Sequence, residues 1–127
     1  MARPVEEIPD EDRLFRRIHE SQLKRGTISR RMGFKYDADG ISVDWEKYIT
    51  PEEVRTRCAR KPAREYRVVS LVAGKVREIN NSEVRHAPIS TNECVNRAHA
   101  LITTEDESDR LELQTQLVRS CVWLEST

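Results

Sequence analysis

Apolar and polar residues alternate through Ile41-Ser42-Val43-Asp44-Trp45, the period of a strand with one face in a core and one face polar. The preceding Asp37-Ala38-Asp39-Gly40 predicts a turn, because Asp tolerates turn conformations and Gly permits positive φ. Tyr66 to Val72 is rich in β-branched and apolar residues, as a central strand requires, and Gly74 is expected to break it. Two shorter strands are predicted at Val84 to Ile89, ended by Pro88, and at His99 to Thr103. Leu14 to Ile18 is too short for its period to classify, but Gly26 and the Ser/Thr-rich stretch after it favour a strand followed by a turn.

Two helices are announced by their caps. In Thr50-Pro51-Glu52-Glu53, Thr50 can cap, Pro51 suits the first helical position and Glu53 completes a capping box, predicting a helix over about 51–60 that Pro62 stops. Thr104-Glu105-Asp106-Glu107 is a second capping box with acids where the helix dipole favours them. Leu111, Leu117, Val118, Cys121, Val122 and Leu124 follow mostly on one face, predicting a helix over about 106–124. The expected fold is α+β, a small mixed β-sheet with these two main helices packed on one face of it. Residues 1–11, with Pro4, Pro9 and a run of acids, are expected to be a flexible acidic lead-in to a single domain over 12–127.

The chain has 127 residues, 37% hydrophobic and 35% charged, which fits one small core inside a charged surface. No run approaches the ~18 apolar residues that a membrane span needs, and residues 1–12 lack the apolar stretch of a signal peptide, so no membrane association is expected. Cys58, Cys94 and Cys121 are odd in number, widely spaced and without ligand-spaced histidines. They read as reduced thiols, small buried hydrophobes of a cytoplasmic protein with no metal and no cofactor.

Net charge is zero, but it comes in blocks. Residues 1–12 are acidic, 13–35 basic, 36–53 acidic, 54–67 basic and 93–127 acidic. Such alternation predicts either pairing within the molecule or a bipolar surface that meets a partner. The Arg-rich segments 13–35 and 54–67, with Phe15, Phe34, Tyr36 and Tyr66 nearby, could contact phosphates and stack on bases. Arg16, Arg17, Arg25, Arg30, Arg31, Arg85 and Arg97 are the candidates for nucleic-acid or anion contact.

His86 and His99 sit on neighbouring predicted strands, where a pair could act as acid and base on a phosphate ester, with Arg85 or Arg97 holding the anion. The alternative is that each is structural, making one or two hydrogen bonds. Asp37, Asp39 and Asp44 suggest a hard-cation loop, but Tyr48 stands where a calcium loop would carry its Glu, so a solvated turn is expected. GxGxxG, GxxxxGK[ST], GxSxG and HExxH are all missing.

Leu14-Phe15-Arg16-Arg17-Ile18-His19, Gly40 to Trp45, Thr50 to Glu53, Val84-Arg85-His86-Ala87-Pro88 and Ala98-His99-Ala100 together resemble a family of small bacterial proteins of no established activity, over about residues 10–103. Asn96-Arg97-Ala98-His99-Ala100 departs from the family pattern in having Arg97 where a proline is expected. The resemblance implies a bacterial origin. The resulting expectation is a non-enzymatic interaction or accessory module with a protein partner in a larger bacterial system. Nucleic-acid binding and a His86/His99 phosphoesterase are the alternatives.

Overall fold

The computed structural model describes residues 4–124. In chain order its elements are β1 Arg13–His19, β2 Leu23–Lys24, β3 Thr27–Ile28, α1 Arg30–Gly33, β4 Ile41–Trp45, α2 Pro51–Thr56, β5 Tyr66–Val72, α3 Ala73–Arg77, β6 Glu83–His86, β7 Ile89–Ser90, β8 Val95–Asn96, β9 His99–Thr103, α4 Arg110–Ser120 and β10 Val122–Trp123. Four short 3-10 turns link them. The fold is α+β. Its six-stranded sheet has the order β10-β5-β1-β4-β9-β6, and every pairing in it is antiparallel rather than mixed. β2 and β3 form a separate hairpin whose Arg25-Gly26 tip has positive φ at both residues, as a tight two-residue turn with the hairpin twist demands.

Strand alternation separates two apolar clusters on the two faces of the sheet. On one face Leu14, Ile18, Ile41, Val43, Trp45, Val69, Leu71, Ala100 and Ile102 join Leu113 and Leu117 of α4. On the other, Phe15 and Val68 meet Val54 of α2, with Ile49 and Ala98. The two helices therefore pack on opposite faces, not on one. Helix α2 starts as its cap predicts, with Thr50 and Glu53 each bonding the other's backbone N–H. It closes after Thr56, and Cys58 then takes a positive φ. Helix α4 ends at Ser120, because the next residues pair with Ser70 and Val69 of β5 as an edge strand. The predicted run to 124 joined a helix to a strand.

β5 ends at Val72, before the expected breaker Gly74, which sits within α3. The Gly74 amide donates to the Asp10 carbonyl at 2.8 Å, and a Cβ there would stand 2.9 Å from the Asp10 Cβ. The backbone contact needs glycine. That contact belongs to the segment expected to be flexible. Within it, Ile8 is buried in the main core at 2% exposure, and Arg77 binds Asp10 at 2.7 Å. Residues 1–3 of the expected lead-in and 125–127 of the expected domain lie outside the described residues. A few acids and prolines hid one buried isoleucine, and the acids themselves are ion-pair partners for later bases.

No helix among the described residues is long and apolar enough to cross a membrane.

If Ile8 anchors this segment, Ile8→Ala should lower stability by about 2–5 kcal/mol, as for a large-to-small change in a core. Val5, 69% exposed three residues earlier, should change it by less than about 0.5 kcal/mol when cut to Ala. Urea unfolding of the two variants compares them, and equal losses would contradict the packing.

Candidate functional site

The α2 face of the sheet is only partly apolar. Beside Phe15 it presents Arg17 from β1, Ser42 and Asp44 from β4, and His99 from β9, because these residues alternate with the core-facing ones. They line a cavity of about 210 Å³, with Asn96 at its edge. Two covers form its walls, the loop after α2 and the β7–β8 hairpin. Cys58 on the first and Cys94 on the second are joined by a disulfide, with Cα atoms 5.5 Å apart.

This bridge corrects the reading of the cysteines as reduced. Widely spaced cysteines gave no pairing signal, because their closeness depends on how the two covers fold over the sheet. None of the three is a fully buried hydrophobe: Cys58 is exposed, Cys94 and Cys121 half-buried. Burial pushes the free Cys121 thiol above its ordinary pKa. The expectation of a cytoplasmic location rested on reduced thiols and loses that ground, since such bridges persist mainly in oxidising compartments.

Within the cavity, His99 is fixed by both ring nitrogens. Nδ1 lies 2.7 Å from the Ala87 carbonyl, which can only accept, so Nδ1 carries the proton. In the neutral ring Nε2 is then an acceptor, and the Ser42 hydroxyl donates to it at 3.2 Å. Ser42 and His99 are diagonal neighbours across the β4–β9 pair, where Ser42 faces Leu101 and Asp44 faces His99. Asn96 donates from Nδ2 to Asp44 at 2.8 Å, and its carbonyl oxygen accepts from the Ala98 amide at 3.1 Å, which sets the amide's orientation. Burial raises the Asp44 carboxyl above its ordinary pKa, and the Asn96 hydrogen bond only partly opposes this.

Two guanidiniums complete the lining. Strands β1 and β4 pair only at Leu14↔Trp45 and Phe15↔Asp44. Beyond that point Arg16 donates from Nη1 to the Ser42 carbonyl at 2.8 Å and from Nε to the Gly33 carbonyl at 2.9 Å. Burial pushes its pKa below the usual arginine value. Arg17 reaches back to the end of α2, donating to the Val54 and Arg57 carbonyls at 3.1 and 2.7 Å. Neither has a carboxylate within ion-pair distance among the described residues. Arg57, also in the lining, is paired with Glu53 at 2.7 Å.

The remaining sequence candidates fall elsewhere. β6 and β9 are antiparallel neighbours, but His86 faces Ala100 while His99 faces Asp44, on the opposite side of the sheet. The paired acid–base reading fails on that alternation. His86 is buried between Trp45 and Tyr48, accepts at Nδ1 from the Glu6 amide at 3.0 Å and meets the Arg97 carbonyl at 2.6 Å through Nε2. It is a satisfied structural histidine. Arg97 stacks on Tyr48, 4.0 Å from the ring centroid, and Arg85 is exposed on edge strand β6. Arg25 lies at the hairpin tip, and Arg30 and Arg31 are exposed on α1. Asp37 closes its own turn with Gly40, well apart in role from Asp44, so the three aspartates form no common site. His19, Glu20 and Glu65 hold three potential ligand atoms within 4.8 Å. His19 already spends Nε2 on Glu65 and Nδ1 on Ser21, which closes that group on itself.

Arg13–Glu46 and Lys35–Asp37 join a basic block to an acidic one, whereas Glu6 and Asp10 find single bases outside the basic blocks. Glu6 binds Lys47 at 2.5 Å and Arg97 at 3.9 Å, Asp10 binds Arg77, and Arg13 binds Glu46 at 3.2 Å. Hydrogen bonds from Lys47 and Tyr48 hold the Glu6 carboxyl below its ordinary pKa. Sequence singled out neither Ser42 nor Asn96 and took Asp44 only as a cation-loop candidate, although a polar strand face bearing Ser and Asp next to a strand-borne His was the available signal.

Asp44 gives a pH test. Its folded pKa is raised, so the neutral acid is the form the fold favours, and its contribution is fully present below the unfolded pKa of about 3.9 and is lost as pH rises through the folded value. Asp44→Asn keeps an acceptor for Asn96 and cannot ionise. Its melting temperature should therefore gain on the wild type as pH rises from about 4 to 7; a constant or shrinking difference would refute the raised pKa. No family model, curated protein or solved structure matches the chain.

Proposed function

We propose that the protein binds a small anionic molecule in the cavity between the sheet, α2 and the β7–β8 hairpin. One observation carries this reading: Arg16 and Arg17 line the cavity with no carboxylate within ion-pair distance among the described residues. Taking a guanidinium out of water costs several kcal/mol in general, and carbonyl hydrogen bonds offset only part of it. An anion would supply the missing counter-charge. Asp44 is not within ion-pair distance of either among the described residues, and burial raises its own pKa. Carboxylates and phosphates both suit guanidinium donors. The limited volume selects a short ligand, and the Cys58–Cys94 bridge keeps the two covers over it. A module of this kind would serve as an accessory to a larger bacterial system, binding a ligand on its partner's behalf.

A second reading has its own observation. Lys24, Arg25, Arg30 and Arg31 are exposed on the β2–β3 hairpin and α1, and none makes an ion pair among the described residues. This surface, without Arg16 and Arg17, is what supports nucleic-acid contact.

Isothermal titration at low salt with glutarate and with inorganic phosphate tests the first reading. Wild type should bind at least one of them. Arg17→Gln should weaken that binding about tenfold or more, the scale of one charged hydrogen bond, while Arg119→Gln on the exposed side of α4 should not change it. No heat with either probe at millimolar concentration, or equal affinity in both variants, overturns the reading. For the second, labelled single- and double-stranded DNA and RNA should shift at ~50 mM salt, and a fourfold Lys24, Arg25, Arg30 and Arg31 to Gln variant should abolish the shift.

A further inference from the structure

The cavity holds more than a counter-charge for an anion: it holds a hydroxyl in hydrogen-bond contact with a base. We propose that Ser42 and His99 are a nucleophile and general base that hydrolyse small carboxylic esters whose acid part carries a second carboxylate, a class typified by half-esters of short dicarboxylic acids. This rests on the anion-binding reading above, which supplies the grip on the free carboxylate.

Four features of the geometry converge. The Ser42 oxygen lies 3.2 Å from His99 Nε2, inside the reach that proton transfer needs. The Ala87 carbonyl holds the other ring nitrogen at 2.7 Å, which selects the tautomer with its lone pair toward Ser42. This is the orienting role that a third group plays in nucleophile–base pairs. Both side chains rise from central strands of the sheet, β4 and β9, and strands hold a site more precisely than loops do. Finally, Arg16 is anchored on the carbonyl of Ser42 itself, and its Nη2 makes no hydrogen bond among the described residues. Its charge is thus anchored on the Ser42 main chain at the cavity wall.

The chemistry balances with water as the only co-reactant. The Ser42 oxygen forms a bond to the ester carbonyl carbon while its proton passes to His99 Nε2, and the carbonyl oxygen becomes an oxyanion in the cavity that Arg16 and Arg17 line. The oxyanion collapses and the carbon–alkoxy bond breaks. The leaving oxygen takes the proton from Nε2 and departs as an alcohol, with the acyl group on Ser42. Water then gives a proton to Nε2 and attacks the acyl carbon. The second collapse returns oxygen and proton to Ser42 and releases the new carboxylic acid, which loses its proton to solvent, with the ring neutral again. Arg17, whose guanidinium projects toward the α2 side of the same cavity, holds the distal carboxylate throughout.

The bland alternative is that Ser42, His99 and Ala87 form a cross-strand hydrogen-bond chain of structural value only. Two measurements on the wild-type protein separate it from the proposal. Intact-mass analysis after treatment with a small fluorophosphonate should give a single adduct, mapped to Ser42, and 4-nitrophenyl hydrogen glutarate should release nitrophenol above the buffer rate. Ser42→Ala and His99→Gln, each checked for folding by circular dichroism, should lower that release at least about 100-fold, the scale of losing a positioned base or nucleophile. Glutarate binding by the wild type is measured alongside. If glutarate binds but no adduct forms at Ser42 and release stays at the buffer rate, the catalytic proposal is overturned and the anion pocket stands. Adduct and Ser42-dependent release without glutarate binding would keep the nucleophile but remove the proposed substrate class. Failure of all three, with no phosphate binding either, removes both.

Discussion

Everything in this molecule depends on the alternation of side chains along β1 and β4. Each strand must bury one set of residues against α4, and the period of two then commits the intervening set to the other face. On β4, packing Ile41, Val43 and Trp45 into the main core sends Ser42 and Asp44 to the α2 side. On β1 the same demand by Leu14 and Ile18 sends Phe15 and Arg17 there. A slip of one residue would exchange the two sets, so the core's need for large apolar side chains also fixes the site's register. Fold and pocket are two consequences of one constraint.

The second face lacks the apolar content to form a full core, and its shortfall is filled by polar groups in an ordered arrangement. β1 and β4 stop pairing after Phe15↔Asp44, which would strand the Ser42 carbonyl. Arg16 takes it. A guanidinium used in this way satisfies backbone acceptors but leaves its own charge without a partner, and a buried charge in that state costs more than its hydrogen bonds return. Asp44 shows the reverse imbalance, with burial favouring its neutral form. Local frustration of this sort is common where a fold gives up stability for binding or chemistry. The Cys58–Cys94 bridge fits the same picture, since it ties two short covers that have few apolar contacts of their own.

What the sequence made legible was whatever depended on local rules. The Ile41–Trp45 and Tyr66–Val72 strands appear at the predicted bounds because alternation and β-branching are properties of the segment itself. The Thr50 cap forms for the same reason. Features that depend on distant partners were not legible. Gly74 reads as a breaker until the Asp10 backbone is seen against it, and Val122 reads as helix until β5 offers it an edge. The cysteine pair and the meeting of Arg16 with the Ser42 carbonyl join segments at least 26 residues apart. No local period could register them.

The two histidines make the point in its sharpest form. His86 and His99 look alike in sequence: each lies at the end of a short strand, near arginines and small residues. In the antiparallel pair they are one position out of phase, and that single step decides their chemistry. His86 turns to the main core, where Trp45 and Tyr48 enclose it and both nitrogens are bonded to backbone. No lone pair is left for a substrate. His99 turns to the pocket, where one nitrogen is fixed by backbone and the other meets a side-chain hydroxyl at the cavity wall. The difference between a structural and a functional histidine is thus one of parity along a strand, and it can be read only once the pairing partner of each residue is known.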